Sequence, residues 1–432
     1  MARLFPRFAL GLALGGSLGL SAGVAEASPE DVFGFGPRSS ALGATGAASA
    51  DGYEAVYGNP ALLSLARTRQ LAVGLTSAAF DVHAGSTRLS YEALHGSVIG
   101  AVLPLPFGGV LKDRIAIGLG FFTPFDLVVR GRILYPEILQ YPLADRTQSL
   151  AVQAGVGVDL GHGVRVGGGF AALAALTGTV LVATDAAGVI GTTVDDTLVA
   201  SYGPIVGVSV DLGDEWRLGL TFRGVLEGQF NVVITVKDLG SIVVPPLNIS
   251  GVAQYDPWQL SLEIAKVRGP WKLAAGLTYK RWSDYPGLPE ATVRCVDASG
   301  MPVTPCSALV PAPPGYHDTV SPHLGVERTI VPRPGVDMAL RAGFFFEPSP
   351  APAQSLQANT YDNHRAAFTL GYGVEVGPPS ARIDLDLFGQ AQALLPRSNP
   401  KESDVPASNP GAPGLTVSGV IGAFGTTVGV RF

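Results

Sequence analysis

Residues 256–284, DPWQLSLEIAKVRGPWKLAAGLTYKRWSD, contain two strand patterns joined by a short turn at Arg268 and Gly269. Successive side chains of a strand point to opposite faces of the sheet. In the second strand, one face is apolar with an aromatic residue near each end and carries Trp271, Leu273, Ala275, Leu277 and Tyr279. The other face is small, polar or basic and carries Lys272, Ala274, Gly276, Thr278 and Lys280. This alternation predicts a strand with one face in lipid and the other in a polar lumen.

Segments of this kind run from about residue 69 to the C-terminal Phe432, and their connections alternate between short and long. We predict about 14 strands, at 69–82, 95–107, 112–122, 146–160, 163–179, 198–212, 215–234, 256–267, 270–284, 319–331, 336–347, 363–376, 381–394 and 416–432. The short connections contain glycine or proline, which suit tight turns. Short turns in the periplasm and long loops outside are typical of outer-membrane barrels. The sequence therefore predicts an all-β fold, a transmembrane antiparallel β-barrel over 69–432.

The segments 363–376 and 381–394 repeat the pattern of one apolar and one polar face. Charged side chains on the polar faces are expected to line the lumen and to pair with one another. The candidates for this pairing are Arg217, Arg223, Glu263, Asp337, Arg341 and Glu375. The chain ends with Val428, Val430 and Phe432 on alternate positions, which matches the assembly signal of outer-membrane barrels.

The N-terminus has the pattern of a secretory signal peptide. Arg3 and Arg7 form a positive segment ahead of an apolar stretch at 8–22. Ala25-Glu26-Ala27 then has the small-x-small pattern of a cleavage site. We therefore predict a signal peptide at 1–27 and a mature chain that begins near Ser28.

The composition fits a chain that crosses a membrane with strands. Hydrophobic residues make up 47% of the chain and charged residues 15%, and the mean hydropathy is +0.31. No run after the signal peptide reaches the ~20 apolar residues that a spanning helix needs. The net charge of -6 excludes a basic nucleic-acid-binding surface.

Catalytic and metal motifs are not found in the sequence. There is no Gly-x-Ser-x-Gly motif, and the six histidines are scattered without metal-ligand spacing. We therefore predict no enzyme activity, no cofactor and no metal site. The two cysteines, Cys295 and Cys306, lie in one proline-rich loop, and in an oxidising compartment we expect a disulfide rather than a metal site.

Residues 28–68 do not have the strand pattern. The stretch SSALGATGAASA at 39–50 contains mostly small residues, which suit close packing in a confined space. The segment is too apolar and too poor in charge for a solvated tail. We therefore predict a plug, or hatch, inside the barrel.

At this segment the sequence resembles the long-chain fatty acid transporter (FadL) family of outer-membrane proteins. Asn59, Pro60 and Ala61 match the family's Asn-Pro-Ala hatch motif, and ADGYEAVYG at 50–58 is similar to the run that precedes it, with Gly52 and Gly58 as departures. Three later stretches are similar to strands of that family, LAAGLTYKRWSDY (273–285), LRAGFFFEPSPAP (340–352) and YDNHRAAFTLGYGVEV (361–376). The resemblance covers essentially the whole mature chain.

The resemblance implies passive uptake of hydrophobic compounds such as long-chain fatty acids. In that family a ligand lands on an apolar extracellular groove, enters a lumenal pocket and leaves sideways into the membrane, through a gap beside an inward kink in the third strand. The hatch has to shift to connect the pocket and the gap. The expected partners are hydrophobic small molecules, either fatty acids or aromatic hydrocarbons, together with outer-membrane lipid and lipopolysaccharide around a monomer.

The residues that we assign to these roles fall in three groups. The apolar loop 123–145 is the candidate landing groove, with Leu127, Val129, Arg130, Arg132, Ile133, Leu134, Ile138 and Leu139 as ligand contacts. Arg130 or Arg132 is available for a carboxylate, and the alternative is a hydrophobic cap that only closes the barrel mouth. Gly118, Gly120 and Pro124 are the candidates for the kink. Asn59, Pro60 and Ala61 are expected to position a gating hatch, and the alternative is a simple turn inside the plug.

Two other functions stay open at the level of the sequence. Some barrels similar to FadL act as scaffolds or shuttles for surface and secreted proteins, and a stable protein partner would favour that role. A general porin is disfavoured by the predicted plug. The apolar loop 123–145 favours ligand binding over both.

Overall fold

The structure is a computed structural model of the chain. It describes residues 28–125, 139–141, 143, 150–184, 190–237, 247–287, 290–293, 314–355, 359–378, 380–401 and 412–432. The predicted signal peptide at 1–27 and the predicted Cys295–Cys306 disulfide lie outside the described residues. Among the described residues, no helix is long and apolar enough to traverse a lipid bilayer.

The described chain forms eighteen strands in one sheet. They are β1 (Gln70–Ala84), β2 (Thr87–Leu89), β3 (Leu94–Pro104), β4 (Ile115–Pro124), β5 (Ala151–Gly161), β6 (Val164–Thr184), β7 (Ile190–Gly213), β8 (Trp216–Arg223), β9 (Leu226–Lys237), β10 (Leu247–Asp256), β11 (Gln259–Arg268), β12 (Trp271–Lys280), β13 (Glu290–Val293), β14 (Thr319–Arg333), β15 (Val336–Glu347), β16 (Arg365–Val376), β17 (Arg382–Pro400) and β18 (Gly414–Arg431).

Fourteen of the described strands form a closed antiparallel barrel wall. They are β1, β3 to β8, β11, β12 and β14 to β18, in chain order around the barrel. The wall closes where β1 pairs with β18, from Gln70 opposite Arg431 to Ala84 opposite Val417. The predicted all-β barrel of about 14 strands is therefore confirmed.

The two faces of the wall strands follow the predicted alternation. On β16, Phe368 and Leu370 are 63% and 68% exposed on the outer face, whereas Thr369 between them is 2% exposed and faces the lumen. On β17, Ile383 and Leu387 lie outside in the same way. An apolar outer band around a polar interior is the arrangement of a barrel that sits in a membrane.

Residues 28–66 lie inside this wall as a series of short helices. They are α1 (Pro29–Phe33), α2 (Pro37–Ala41), a 3-10 turn (Gly52–Glu54), α3 (Ala55–Gly58) and a second 3-10 turn (Pro60–Leu65). The wall contributes two further 3-10 turns, Gly109–Leu111 and Trp282–Asp284. Prolines begin three of the hatch helices, where the missing N–H costs no hydrogen bond. The predicted plug is thus present in the lumen.

The long-loop end of the wall differs from the sequence-based strands. The predicted strand 215–234 breaks at Gly224 and Val225 into β8 and β9, and β9 then runs parallel to the outer part of β6. Pro204 of β7 faces this break, and its carbonyl oxygen accepts a hydrogen bond from Gly224 N at 2.8 Å. Because proline has no N–H to donate, the ladder between β7 and β8 cannot continue past this point.

Candidate functional site: the plugged lumen

Asn59 joins the hatch to itself and to the barrel wall. Its side-chain amide donates to the carbonyl oxygens of Ala47 at 2.6 Å and Val208 at 3.0 Å, and its Oδ1 accepts from Ala61 N at 3.0 Å. The side chain is fully buried. Pro60 is the first residue of the 3-10 turn that Asn59 caps. The Asn-Pro-Ala segment is therefore a cap and also a tie between the hatch and β7.

The wall beside this segment carries glycines because the hatch backbone passes too close for side chains. A Cβ at Gly207 would lie 1.9 Å from Asn59 Oδ1, and one at Gly167 would lie 2.2 Å from Ala61 N. A Cβ at Gly157 would lie 2.4 Å from the Pro60 oxygen. Three neighbouring strands thus leave a groove of bare backbone in which the motif lies.

Ion pairs hold the middle of the hatch against β15 and β17. Arg38 of α2 contacts Asp386 at 2.9 Å and Asp51 at 3.0 Å. Asp386 also contacts Arg341 at 2.6 Å, and Arg341 contacts Glu327 at 2.6 Å. The result is a network of alternating charges that crosses from the hatch into the wall.

The prediction that six lumenal charges pair with one another is wrong, because each of them contacts some other group. Arg341 pairs with Glu327 and Asp386, and Arg217 with Asp211. The remaining contacts are Asp337 and Glu375 with Arg382, Glu263 with the backbone N–H groups of Gly46 and Ala47, and Arg223 with Gln259 and the Tyr57 carbonyl oxygen. Cross-strand register and hatch position decide these partners, and neither is encoded in the alternation of a single strand.

Buried carboxylates on the hatch bind backbone donors. Glu54 accepts hydrogen bonds from Arg38 N at 3.0 Å and Ser39 N at 2.7 Å. Burial raises the pKa of Glu54 to about 7, and these backbone donors and the Arg38 charge offset only part of the effect. Burial likewise raises the pKa of Glu30 to about 7. The hatch therefore contains groups that titrate near neutral pH.

A second ion-pair group lies at the start of the hatch, near the long-loop ends of the wall strands. Lys280 Nζ is 2.8 Å from Asp31 and 3.1 Å from Glu347. Burial acts to raise the pKa of Asp31, but Lys280, Arg223 and the Gln259 amide outweigh it and lower the pKa to about 2. Asp31 is therefore charged and tied to the wall.

Aromatic side chains pack together above this group, toward the long-loop end. The aromatic cluster consists of Tyr255, Trp282, Tyr285 and Tyr316. Ring centroids lie 4.6 Å apart for Tyr285 and Tyr316 and 6.0 Å apart for Tyr255 and Trp282. Each such pair contributes about 0.5–1.5 kcal/mol beyond its buried area. The cluster is part of the buried hydrophobic core near the long-loop ends of the wall strands.

Most of the predicted landing groove lies outside the described residues, namely Leu127, Val129, Arg130, Arg132, Ile133, Leu134 and Ile138. Leu139 is described; it is half-buried and packs against the lumenal hydrophobic core. The neighbouring backbone of Gln140 donates to the Asn359 oxygen at 2.9 Å, and its oxygen accepts from Tyr361 N at 2.8 Å. The end of this loop therefore turns inward.

The kink predicted at Gly118, Gly120 and Pro124 is not seen in the ladders. β4 pairs with β3 through Pro124 without a register shift, and with β5 through Phe122 in the same way. The glycines are explained by hatch packing instead. A Cβ at Gly118 would lie 2.6 Å from Leu63, and one at Gly120 would lie 2.5 Å from Phe35. These positions make room for the plug and keep their ladder hydrogen bonds.

Three cavities surround the docked hatch in the described part of the lumen. One of about 60 Å³ lies between α1 and the wall and is lined by charged and polar groups that include Asp31, Glu263 and Lys280. A smaller, more apolar one of about 20 Å³ extends from Ser28 to Ala151. A third, of about 500 Å³, lies between the hatch and the short-turn ends of β7, β8, β11 and β12. In the described residues no group of three or more acidic, histidine or cysteine side chains is placed to hold a metal ion.

Sequence reasoning missed the aromatic cluster and the Asp31–Lys280 pair. The cluster combines residues from three separate segments, and the ion pair joins positions 249 residues apart. Two signals were available in the sequence, a lysine at the end of an otherwise amphipathic strand and the aromatic-rich segment that follows it. Neither signal identifies its partner.

A closed barrel with an apolar outer band and a lumen filled by a tied hatch defines a plugged outer-membrane channel. The family model described as outer membrane protein transport protein (OMPP1/FadL/TodX) matches residues 143–412, which is more than half of the chain. The protein belongs to this family, and it is an outer-membrane β-barrel. No curated protein matches the sequence.

Solved structures support the fold. A crystal structure of a FadL homologue from Pseudomonas aeruginosa is 14% identical over 95% of this chain and 98% of its own, with a TM-score of 0.57. The toluene transporter TodX of P. putida is 16% identical over 93% and 99%, with a TM-score of 0.52. The toluene transporter TbuX of Ralstonia pickettii is 17% identical over 92% and 98%, also with a TM-score of 0.52. TodX and TbuX are described as toluene transporters.

Proposed function

We propose that this protein takes up hydrophobic small molecules passively across the outer membrane and releases them sideways into the bilayer. Long-chain fatty acids and aromatic hydrocarbons are the two substrate classes. The barrel works as a monomer, since its wall closes within one chain, and outer-membrane lipid and lipopolysaccharide surround it. The observation that carries the proposal is the buried aromatic cluster near the long-loop ends, next to a hatch tied to the wall by ion pairs.

Physical chemistry supports an apolar route. An acyl chain gains about 0.8 kcal/mol per CH₂ on leaving water, or roughly 12 kcal/mol for a long chain. In a water-filled pore the acyl chain would stay hydrated and would not gain this free energy during passage. An aromatic entrance keeps the chain out of water, so the gain is retained. Tyr255, Trp282 and Tyr285 are nearly fully buried near the long-loop ends, and we propose that they line the entrance once the hatch moves. The predicted groove residues Leu134 and Ile138 would deliver the solute to this entrance.

The hatch has to move before a solute passes. The cavity beside α1 measures about 60 Å³, whereas a dry cavity that admits benzene measures about 150 Å³. The cavity is also lined by charged groups, so it does not suit a bound hydrocarbon while the hatch is docked. We propose that displacement of α1 and Tyr57 opens the space beneath the aromatic cluster.

We place the lateral exit beside the outer end of β5. The β4–β5 ladder ends at Phe122 opposite Ala151, while the other edge of β4 is paired as far as Pro124. The small apolar cavity extends to Ala151 and Ala171 at this height. A hatch shift would enlarge that cavity toward the wall beside Phe122 and Ala151, the last described pair of the β4–β5 ladder.

A cross-link tests this route. In a Cys295→Ser/Cys306→Ser background, Phe121→Cys and Val152→Cys place thiols on a directly paired, lipid-facing position of β4 and β5. We expect oxidation to lower uptake of labelled oleate and toluene by about tenfold, and reduction to restore it. A matched control pair, Leu262→Cys and Leu277→Cys on β11 and β12, should leave uptake unchanged.

The outcomes separate the parts of the proposal. Full uptake by the locked β4–β5 barrel would exclude the lateral exit and favour passage through the large cavity at the short-turn end. A wild-type barrel that takes up neither probe would exclude the uptake function itself.

A further inference from the structure

The first described residue of the hatch, Ser28, lies deep in the lumen. It is 3% exposed, and its backbone nitrogen donates to Asp256 Oδ1 at 2.6 Å. Asp256 is the last residue of β10 and is 7% exposed. A backbone nitrogen at the start of the hatch thus contacts a buried carboxylate.

The surroundings of Asp256 are rich in acid. Burial is the largest cause that raises the pKa of Asp256, to about 8, and the charges of Asp31 and Glu30 on α1 act in the same direction. The nearby cation Lys280 is already shared by Asp31 and Glu347. Among the described residues, no lysine or arginine forms an ion pair with Asp256. Arg223 lines the same small cavity as Ser28 and Asp256, but its guanidinium donates to Gln259 and to the Tyr57 carbonyl oxygen.

We propose that removal of the signal peptide supplies a positive charge, so that the new α-ammonium of Ser28 forms a buried ion pair with Asp256 and locks the hatch. The inference rests on the predicted cleavage after Ala27 and goes beyond the uptake function. Hydrolysis of the Ala27–Ser28 amide consumes one water, leaves a carboxylate on Ala27 and an amine on Ser28, and the amine takes up a proton.

The geometry favours this pair because the nitrogen atom is the same before and after cleavage. An amide nitrogen donates one hydrogen bond without charge, whereas the ammonium has three donors and a full positive charge. Charge-assisted hydrogen bonds are about twice as strong as neutral ones. The lock therefore forms only in the processed chain, and the hatch is held in place after export.

The position of Ser28 also constrains the order of events. Ser28 and Asp256 are both buried, and Asp31, three residues further on, is tied to the wall by Lys280. Docking of α1 between Lys280 and Gln259 is therefore compatible with the processed chain. Processing of the precursor and docking of its hatch become coupled steps.

Amine labelling of the folded barrel tests the pair. The wild-type protein is isolated from outer membranes, its N-terminal peptide is identified by mass spectrometry, and the folded protein is treated with deuterated acetic anhydride. We expect the peptide to begin at Ser28 and its α-amine to be acetylated about tenfold more slowly than after denaturation. Asp256→Asn should remove most of this protection. Asp284→Asn, an acid in an exposed ion pair at the same end of the barrel, should not.

A second variant covers the case in which Asp256→Asn fails to fold. Two residues, Gly-Ser, inserted between Ala27 and Ser28 move the ammonium away from Asp256 without changing the wall, and they should expose the new α-amine to labelling. A mature N-terminus at another residue would overturn the proposal. So would an α-amine that labels equally fast in the wild type and in the insertion variant.

Discussion

At the scale of single residues, the hatch depends on a few side chains that bind two parts of the molecule at once. Asn59 is the clearest of these, since it contacts Ala47, Ala61 and the wall carbonyl of Val208. A buried side chain with three hydrogen bonds leaves unsatisfied backbone groups behind when it is removed. The sequence-based expectation that Asn59 positions the hatch is consistent with these contacts, and its role in gating stays a prediction.

Asn59→Ala should loosen the hatch without opening the wall. With about 1 kcal/mol for each hydrogen bond, the loss amounts to roughly 2–3 kcal/mol of hatch docking. Hydrogen exchange of peptides from residues 28–66 should accelerate by about 30- to 100-fold, while wall peptides keep their rates. Asn231→Ala, at an exposed position on β9, is the control. Unchanged exchange in the hatch would contradict the assigned role.

Glycines of the wall give a paired test of close packing. Gly207→Ala places a Cβ 1.9 Å from Asn59 Oδ1, whereas a Cβ at Gly389 of β17 has no atom within 4 Å. Both changes add one methyl group to a wall strand. We expect Gly207→Ala to displace the hatch and to raise ion conductance in planar bilayers, and Gly389→Ala to behave as the wild type. Equal conductance of the two variants would show that the hatch is not held at this point.

At the scale of elements, the hatch is a series of short helices that do not hold themselves together. Each has six residues or fewer, and such helices are marginal in water. Their stability comes from wall contacts such as Arg38 with Asp386 and Thr369 with the Ala41 oxygen. We therefore predict that the hatch shifts as a unit when those contacts are exchanged, while the wall retains its own ladders.

The docked hatch should weaken as pH rises from about 5 to 7.5. Burial raises the pKa of Glu54 to about 7 from 4.5, so between these values the undocked hatch loses its proton first. Docking then loses stability with rising pH, at about 1.4 kcal/mol per pH unit and carboxyl group. Glu30 acts in the same direction. Asp31, with its lowered pKa of about 2, loses its contribution only below about pH 4.

Hydrogen exchange of the hatch at several pH values, corrected for intrinsic rates, checks this dependence. Glu54→Gln should reduce the slope between pH 5 and 7 by about half, since the amide does not titrate while Glu30 still does. Asp195→Asn, at an exposed position on β7, should leave the slope as it is. A hatch whose protection rises over this range would show that the sign is wrong.

At the scale of the whole molecule, wall and hatch are separable. The wall closes through strand pairing alone, and β1 and β18 pair along the whole of β1. The hatch contributes no strand to this ladder. The outer band of apolar residues places the barrel in the membrane, while the interior holds charges that only the hatch and the neighbouring strands neutralise.

Deletion of residues 28–45 should therefore leave a closed barrel with an open lumen. We expect the variant to insert in the outer membrane, to retain the heat-dependent gel mobility of a folded barrel and to conduct small ions. The hatch should no longer limit uptake of oleate and toluene by this variant. A deletion variant that stays impermeable to ions would mean that the aromatic cluster alone seals the mouth.

The wall was predictable because its pattern is local. In Trp271–Lys280, each residue faces lipid or lumen according to its position in the strand, and this alternation can be read without knowing any partner. The Asn-Pro-Ala segment was identified by resemblance. The glycines of β4 were misread as kink formers, because the sequence does not reveal that Leu63 and Phe35 approach them from inside.

By itself, the sequence determined the barrel, the approximate number of its strands, the face that each strand turns to lipid and the presence of a plug. Tertiary structure alone decided which charges meet, where the chain leaves the wall after β8, which rings form the aromatic cluster and that Ser28 lies beside Asp256. The physical reason is the separation along the chain over which each kind of interaction acts. Alternation and turn geometry act between adjacent residues, whereas contacts across a lumen depend on register, closure and the path of a hatch whose partners lie hundreds of residues away.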